Sequence, residues 1–141
     1  MRFLIAEDEY YARKALVLSV QTWQKDAVIS EAENGMTALS LMRAQPFDVL
    51  LLDIRMPQMD GLTLAAQVNA EYPDAYKIMI TGYGEFEYAQ AALKSNVRDY
   101  LLKPVDDDKL CEALERAREW HGQRQRERLE RENLRSDGEQ M

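Results

Sequence analysis

Five short apolar runs, separated by longer stretches of mixed polarity, constrain the fold of this chain more than any other feature. Phe3-Leu4-Ile5-Ala6, Val28-Ile29-Ser30, Val49-Leu50-Leu51-Leu52, Ile78-Met79-Ile80 and Tyr100-Leu101-Leu102 show little polar alternation. Such runs suit strands buried on both faces of a parallel sheet. Between and after them the spacing predicts helices over residues 9–22, 35–45, 61–71, 85–95 and 106–121. Turn formers stand at the joints: Asn34-Gly35, Gln45-Pro46, Asp60-Gly61, Tyr72-Pro73 and Gly82-Tyr83-Gly84. Strand then helix, five times over with right-handed crossovers, makes an α/β protein: a doubly wound, five-stranded parallel sheet with helices on both faces.

At 141 residues the chain has room for one such domain. Its 18 Lys and Arg stand against 25 Asp and Glu, a net charge of −7. That balance argues against unaided binding to nucleic acid or to an acidic membrane, both of which need a basic face. One cysteine, Cys111, and one histidine, His121, exclude a disulfide framework, a thiolate zinc cluster and a multi-histidine metal site. Cys111 reads as a half-buried helix residue, His121 as exposed at a helix end, and Met56 and Met59 as loop packing. With no run of about 18 apolar residues and no signal-peptide pattern, the expectation is a soluble cytoplasmic protein with no membrane partner.

The charge divides the chain at about residue 121. Residues 1–121 read as the globular domain and 122–141 as a charged helical tail or linker, making an extended C-terminal helix, densely ionised but nearly balanced. Leu110, Leu114, Ala117 and Trp120 keep the three-and-four spacing of a helix seam. Beyond His121 that seam fails, with only Leu129, Leu134 and Met141 large and apolar, so the tail reads as a connector and not an independent dimeriser.

Doubly wound sheets bind ligands outside the carboxyl ends of their strands. After the first strand come Glu7-Asp8-Glu9; the third ends in Asp53, the fourth in Thr81-Gly82, the fifth in Lys103-Pro104. Several acids gathered at one edge repel unless something positive sits among them. A hard divalent cation with oxygen ligands suits them, Mg²⁺ above all, with Lys103 as a fixed second positive group. No glycine-rich phosphate cradle is present, so a nucleotide is an unsuitable ligand. The chemistry that remains is a carboxylate nucleophile accepting a phosphoryl group, with cation and lysine neutralising oxygen charge.

Four motifs, each at a strand end and in order, carry a family resemblance: Leu4-Ile5-Ala6-Glu7-Asp8-Glu9, Leu52-Asp53-Ile54-Arg55-Met56-Pro57-Gln58-Met59-Asp60-Gly61, Ile80-Thr81-Gly82 and Asp99-Tyr100-Leu101-Leu102-Lys103-Pro104. Over about residues 1–121 the chain resembles the receiver domain of two-component response regulators. The resemblance implies a flavodoxin-like (CheY-like) sheet in the order 2-1-3-4-5. It implies Asp53 as phosphoacceptor from the phosphohistidine of a sensor histidine kinase, and Mg²⁺ held by Glu7, Asp8, Asp53 and the backbone carbonyl of Arg55. Thr81 and Lys103 would bind phosphoryl oxygens, and Pro104 would favour a cis peptide that aims Lys103 inward. Tyr100 would be the aromatic that turns when Thr81 moves, reshaping the face of the fourth predicted helix, the fifth strand and the fifth predicted helix, through which a homodimer would form.

Departures from the family pattern are few. Glu7 stands where Asp is commoner, Tyr10 where proline often follows, Gln58 for a common glycine, and Asn96-Val97 for a usual Gly-Ala. Arg55 and Tyr83, two places beyond Asp53 and Thr81, are large and would restrain the attacking water that removes the phosphoryl group. Two other functions stand beside this one. A phosphatase of the haloacid dehalogenase type needs a second aspartate two residues beyond its nucleophile, where this chain has Arg55, a poor proton donor. A receiver fold used purely as an interaction module, without phosphorylation, is the other. The stretch from Ile80 to Ala89 is similar to receivers attached to AraC-type transcription factors (YesN-like), so this is read either as the receiver of a longer regulator with a transcriptional output domain, the favoured reading, or as a stand-alone regulator with a helical tail. The chain itself lacks a basic recognition helix, and DNA would be met only through that output domain.

Overall fold

A computed structural model describes residues 1–82 and 94–139. The elements run β1 (Arg2–Ala6), α1 (Tyr10–Trp23), β2 (Val28–Ala32), α2 (Gly35–Ala44), β3 (Val49–Asp53), α3 (Gly61–Glu71), β4 (Tyr76–Thr81), β5 (Val97–Leu102) and α4 (Asp107–Glu139). The helix predicted over 85–95 lies outside the described residues, apart from its last two positions, which belong to a turn before β5. All strand pairs are parallel and the order is β2-β1-β3-β4-β5.

Alternate residues of each strand feed two separate cores, as the two-residue period of a strand requires. Leu4, Ala6, Leu50, Leu52 and Met79 face α2 and α3, where Ala38, Leu39, Met42, Leu64, Ala65 and Val68 meet them. Phe3, Ile5, Val49, Leu51, Ile78 and Ile80 face α1 and α4 and pack on Leu16, Val20, Leu110, Ala113, Leu114 and Ala117. Burial on both faces holds for β3 and β4 throughout and for all but the first residue of β1. The edge strands β2 and β5 are only half covered, because an edge has a neighbour on one side alone.

Local chemistry sets the helix starts. Glu9, Asn34 and Asp60 each cap a helix, their side-chain oxygens accepting from backbone N–H groups of Ala12 (2.6 Å), Thr37 (2.8 Å) and Thr63 (2.8 Å). The Asn-Gly and Asp-Gly pairs that read as breakers are thus an N-cap followed by the first helical residue. The C-terminal helix is extended, as the helical reading of 122–141 predicts, and only the placement of His121 at an exposed helix end is corrected. It continues without a break past residue 121, so His121 lies inside it, half-buried, with Nε2 3.5 Å from Asp48 Oδ1. Arg116 grips Asp99 of β5 through Nε and Nη2 at 3.1 and 2.7 Å. Asp99 also accepts the Tyr76 hydroxyl at 2.5 Å. A carboxylate on a strand offers two oxygens to a planar guanidinium, which a flexible pair on one exposed helix cannot match.

Candidate phosphoryl-acceptor site at the strand ends

Register brings the site together. Ala6 pairs with Leu52, Asp53 with Ile80 and Thr81 with Leu102, so the carboxyl ends of β1, β3, β4 and β5 finish at one level. The chain then turns at each end, and the first residues outside the sheet are the polar ones. Backbone bonds extend the order beyond the strands: Glu7 N–H to Ala32 O (3.0 Å), Ile54 N–H to Ile80 O (3.1 Å) and Lys103 N–H to Thr81 O (2.7 Å).

Glu7 and Asp53 are 1% and 3% exposed, Thr81 is buried, Lys103 half-buried and Asp8 exposed. Lys103 Nζ lies 3.0 Å from Asp53 Oδ2 and 3.3 Å from Glu7 Oε1, a single cation serving two carboxylates. The Lys103–Pro104 peptide is cis, as expected from Pro104. Burial, opposed and exceeded by the Asp53 and Glu7 carboxylates, leaves the Lys103 ammonium above its ordinary value. Burial and the neighbouring Asp53 push the Glu7 carboxyl up to about 8, against the pull of Lys103.

Glu7, Asp8 and Asp53 can each present an oxygen within 4.8 Å of the others. Glu7 Oε2 is buried without a hydrogen-bond partner among the described residues. An orphaned buried carboxylate oxygen is costly, and a bound cation satisfies it. The donor set, all oxygen and mostly anionic, fits a hard divalent ion such as Mg²⁺. Glu9, the third acid of the run, is committed to capping α1 and takes no part.

Two depressions flank the carboxylates. One, of about 330 Å³, opens between α1 and the turn after β5 and is lined by Glu7, Ala12, Ser19, Lys103 and Pro104 among others. The other, of about 420 Å³, lies beside Asp8, Arg55, Met56 and Asp60. Tyr100 points to the α2–α3 side, half-buried against that core, and burial raises its phenol above the ordinary value. Tyr83 lies outside the described residues. Cys111 is half-buried, and burial with Asp107, Asp108 and Glu115 nearby pushes its thiol up, away from reactivity.

One feature of the site escaped motif reading. Arg13 occupies the buried stripe of α1 with Leu16 and Val20, is 5% exposed, and donates through Nη1 to the backbone carbonyl of Glu7 at 3.0 Å. The available signal was its spacing: a charged residue three and seven places before apolar ones on the face turned to the core.

A doubly wound sheet with three acids, a hydroxyl and a cis-proline-directed lysine at its carboxyl edge defines the class, and comparison with known proteins agrees. Residues 3–115 match the response regulator receiver domain. The chain belongs to that family, whose members are signalling switches of two-component systems and not classical enzymes. It is similar to the chemotaxis protein CheY of Listeria monocytogenes, 34% identical over 117 residues, covering 83% of this chain and 98% of that one. It is 35% identical to the uncharacterized transcriptional regulatory protein YesN of Bacillus subtilis, over 81% of this chain but only 31% of YesN. Among solved structures it superimposes on the receiver domain of AraT, a response regulator from Geobacillus stearothermophilus, with a TM-score of 0.80 and 41% identity, covering 88% of this chain and 97% of that one.

Proposed function

We propose that this receiver is a phosphorylation-dependent switch in which Asp53 takes a phosphoryl group from the phosphohistidine of a sensor histidine kinase. One Asp53 oxygen bonds to phosphorus as the phosphorus–nitrogen bond breaks; the electron pair leaves with the imidazole, which is protonated from solvent. The observation that carries this reading is the buried Asp53 carboxylate with the Lys103 ammonium 3.0 Å away and two further acids converging on it. Lys103 holds the nucleophile in place and neutralises a phosphoryl oxygen, and the Thr81 hydroxyl, at the end of the adjacent strand, hydrogen-bonds another. Glu7, Asp8 and Asp53, with the carbonyl of Arg55, are the residues that would hold Mg²⁺. When bound, the ion supplies charge neutralisation for the phosphoryl oxygens and for the acids themselves.

In the same reading the aspartyl phosphate, carrying close to two negative charges, draws Thr81 and Lys103 inward. Tyr100 follows, and the face of β5 and the first turns of α4 shifts between two packings, the fourth predicted helix of that face lying outside the described residues. That face would pair two copies of the chain, and residues 122–141 would link the 1–121 domain to a transcriptional output domain in the cytoplasm. Apart from its own phosphorylation and dephosphorylation the chain performs no reaction, and it meets DNA only through such an output.

Acetyl phosphate with Mg²⁺ tests the central step. Intact-mass measurement is expected to show one phosphoryl adduct per chain, absent in Asp53→Asn. An adduct that survives Asp53→Asn, or none in the wild type, defeats the assignment and favours a phosphorylation-independent interaction module; steady turnover of the donor indicates a phosphatase.

A further inference from the structure

We propose that Arg13 is a positioning residue for the acid site: it fixes the peptide that joins Glu7 to Asp8 and so aims both carboxylates at the cation. This rests on the Mg²⁺ reading above and assigns a role to a residue outside the acid cluster.

The guanidinium has been taken into the apolar face of α1, which is costly unless its donors are used. They are used on both sides of the site. Nη1 donates to the Glu7 carbonyl at 3.0 Å, Nε donates to Glu31 Oε1 of β2 at 2.9 Å, and Nη2 lies 3.7 Å from Glu33 Oε1. The Tyr10 ring covers the group at 5.6 Å. Glu31 is itself braced, since its other oxygen accepts from Lys14 Nζ at 2.8 Å; Lys14 first, and Arg13 with it, hold the Glu31 carboxyl below its ordinary value.

The carbonyl that Arg13 holds belongs to the peptide plane between the two acids. The N–H of Glu7 is held on the other side by Ala32 O at 3.0 Å. With both ends of the residue pinned, Glu7 is buried and Asp8 exposed at the mouth, and each can present an oxygen within 4.8 Å of the other and of Asp53. A planar fork can bridge a carbonyl and a carboxylate in fixed geometry; a lysine ammonium is a single point on a flexible stem.

Charge and position act on cation affinity with opposite signs. As a positive group near a cation site, Arg13 repels Mg²⁺ through space, so deleting it for its charge alone would tighten binding. As the group that orients the ligands, its deletion loosens binding, and supporting residues of metal sites typically contribute about 10–100-fold. The direction of change therefore separates the two.

The test is calorimetric titration of Mg²⁺ alone into the unphosphorylated full chain. Arg13→Ala and Arg13→Lys are both expected to weaken Mg²⁺ by about 10-fold or more. Glu31→Gln, which leaves the guanidinium in place but slackens its anchor, should weaken it less, with no further loss when added to Arg13→Lys. Arg116→Ala, which removes a guanidinium remote from the site, should leave Mg²⁺ affinity unchanged whatever it does to the melting temperature. Unchanged or tighter binding in Arg13→Ala, or full affinity in Arg13→Lys, overturns the proposal. Should Arg13→Ala fail to fold, the Arg13→Lys titration decides alone. A wild-type chain that takes no Mg²⁺ overturns the metal reading itself, a result distinct from wild-type binding that Arg13 does not influence.

Discussion

At Gln58 the backbone φ is 68°, in the left-handed region, and at Asn96 it is 57°. An L-residue there costs about 1–2 kcal/mol, and asparagine tolerates the conformation better than most residues. Asn96 also donates through Nδ2 to Asn69 Oδ1 of α3 at 2.7 Å, so its side chain does more than a glycine could. Gln58 has no such compensation from its chemistry. Gln58→Gly is therefore expected to stabilise the fold by about 0.5–1 kcal/mol, the relief of strain less the entropy glycine loses on folding. Chemical denaturation checks it; an unchanged or lower midpoint would refute the strain argument. The glycine that the family commonly places here was a legible sign of this conformation, because only the turn's geometry calls for it.

Among the elements, the close approach of α3 to β3 positions the nucleophile. A Cβ added at Gly61 would lie 2.2 Å from the Asp53 carbonyl oxygen and 2.9 Å from its carbonyl carbon, while Gly61 N–H donates to Ile54 O at 2.8 Å. Backbone stands in the way, so relief requires moving the helix start or the strand end. Gly61→Ala should destabilise by about 1–3 kcal/mol, seen in denaturant titration, and should slow acetyl phosphate labelling as the strand end shifts. Labelling at the wild-type rate would show that Asp53 is held independently of α3. Composition marks Asp60-Gly61 only as a turn; that its glycine rests on the Asp53 backbone follows from the packing of two elements. The α4 seam shows the converse. Leu110, Leu114 and Ala117 were readable as a stripe, and the sheet consumes them as core. The same spacing then continues through His121, Arg124, Arg128, Arg131 and Arg135. Stacked cations oppose a parallel coiled coil on that line.

On the scale of the whole molecule, two cores share one sheet, and Lys77 sits between its neighbours on β4 only 1% exposed. Burial first, and Arg98 second, lower its ammonium from 10.5 to about 8. The unfolded chain therefore binds more protons than the folded one between those values, and stability rises as pH climbs from about 8 to 10.5. Below that window the penalty is present in full. Lys77→Met should raise stability at neutral pH by about 2–3 kcal/mol and flatten the alkaline rise in thermal unfolding. A rise that persists in Lys77→Met would place its origin in another group. A lysine in the apolar run Tyr76-Lys77-Ile78 reads as an interruption of the strand; only the covering layers make it a buried charge.

What the sequence determined by itself was local or periodic. The apolar runs specified five strands and the spacing of polar residues after them specified which groups meet at one edge, while Pro104 permits the cis peptide that the family resemblance implies. The first two are legible because strand period and turn chemistry act within a few residues. What the tertiary structure decided depends on distant partners: Arg116 on Asp99, Lys103 shared between Asp53 and Glu7, and Arg13 turned onto the peptide between the two acids. A charged side chain has several neighbours along the sequence to satisfy it. Which one it takes is set by desolvation and by the geometry of the packed layers, and neither exists until the sheet has formed.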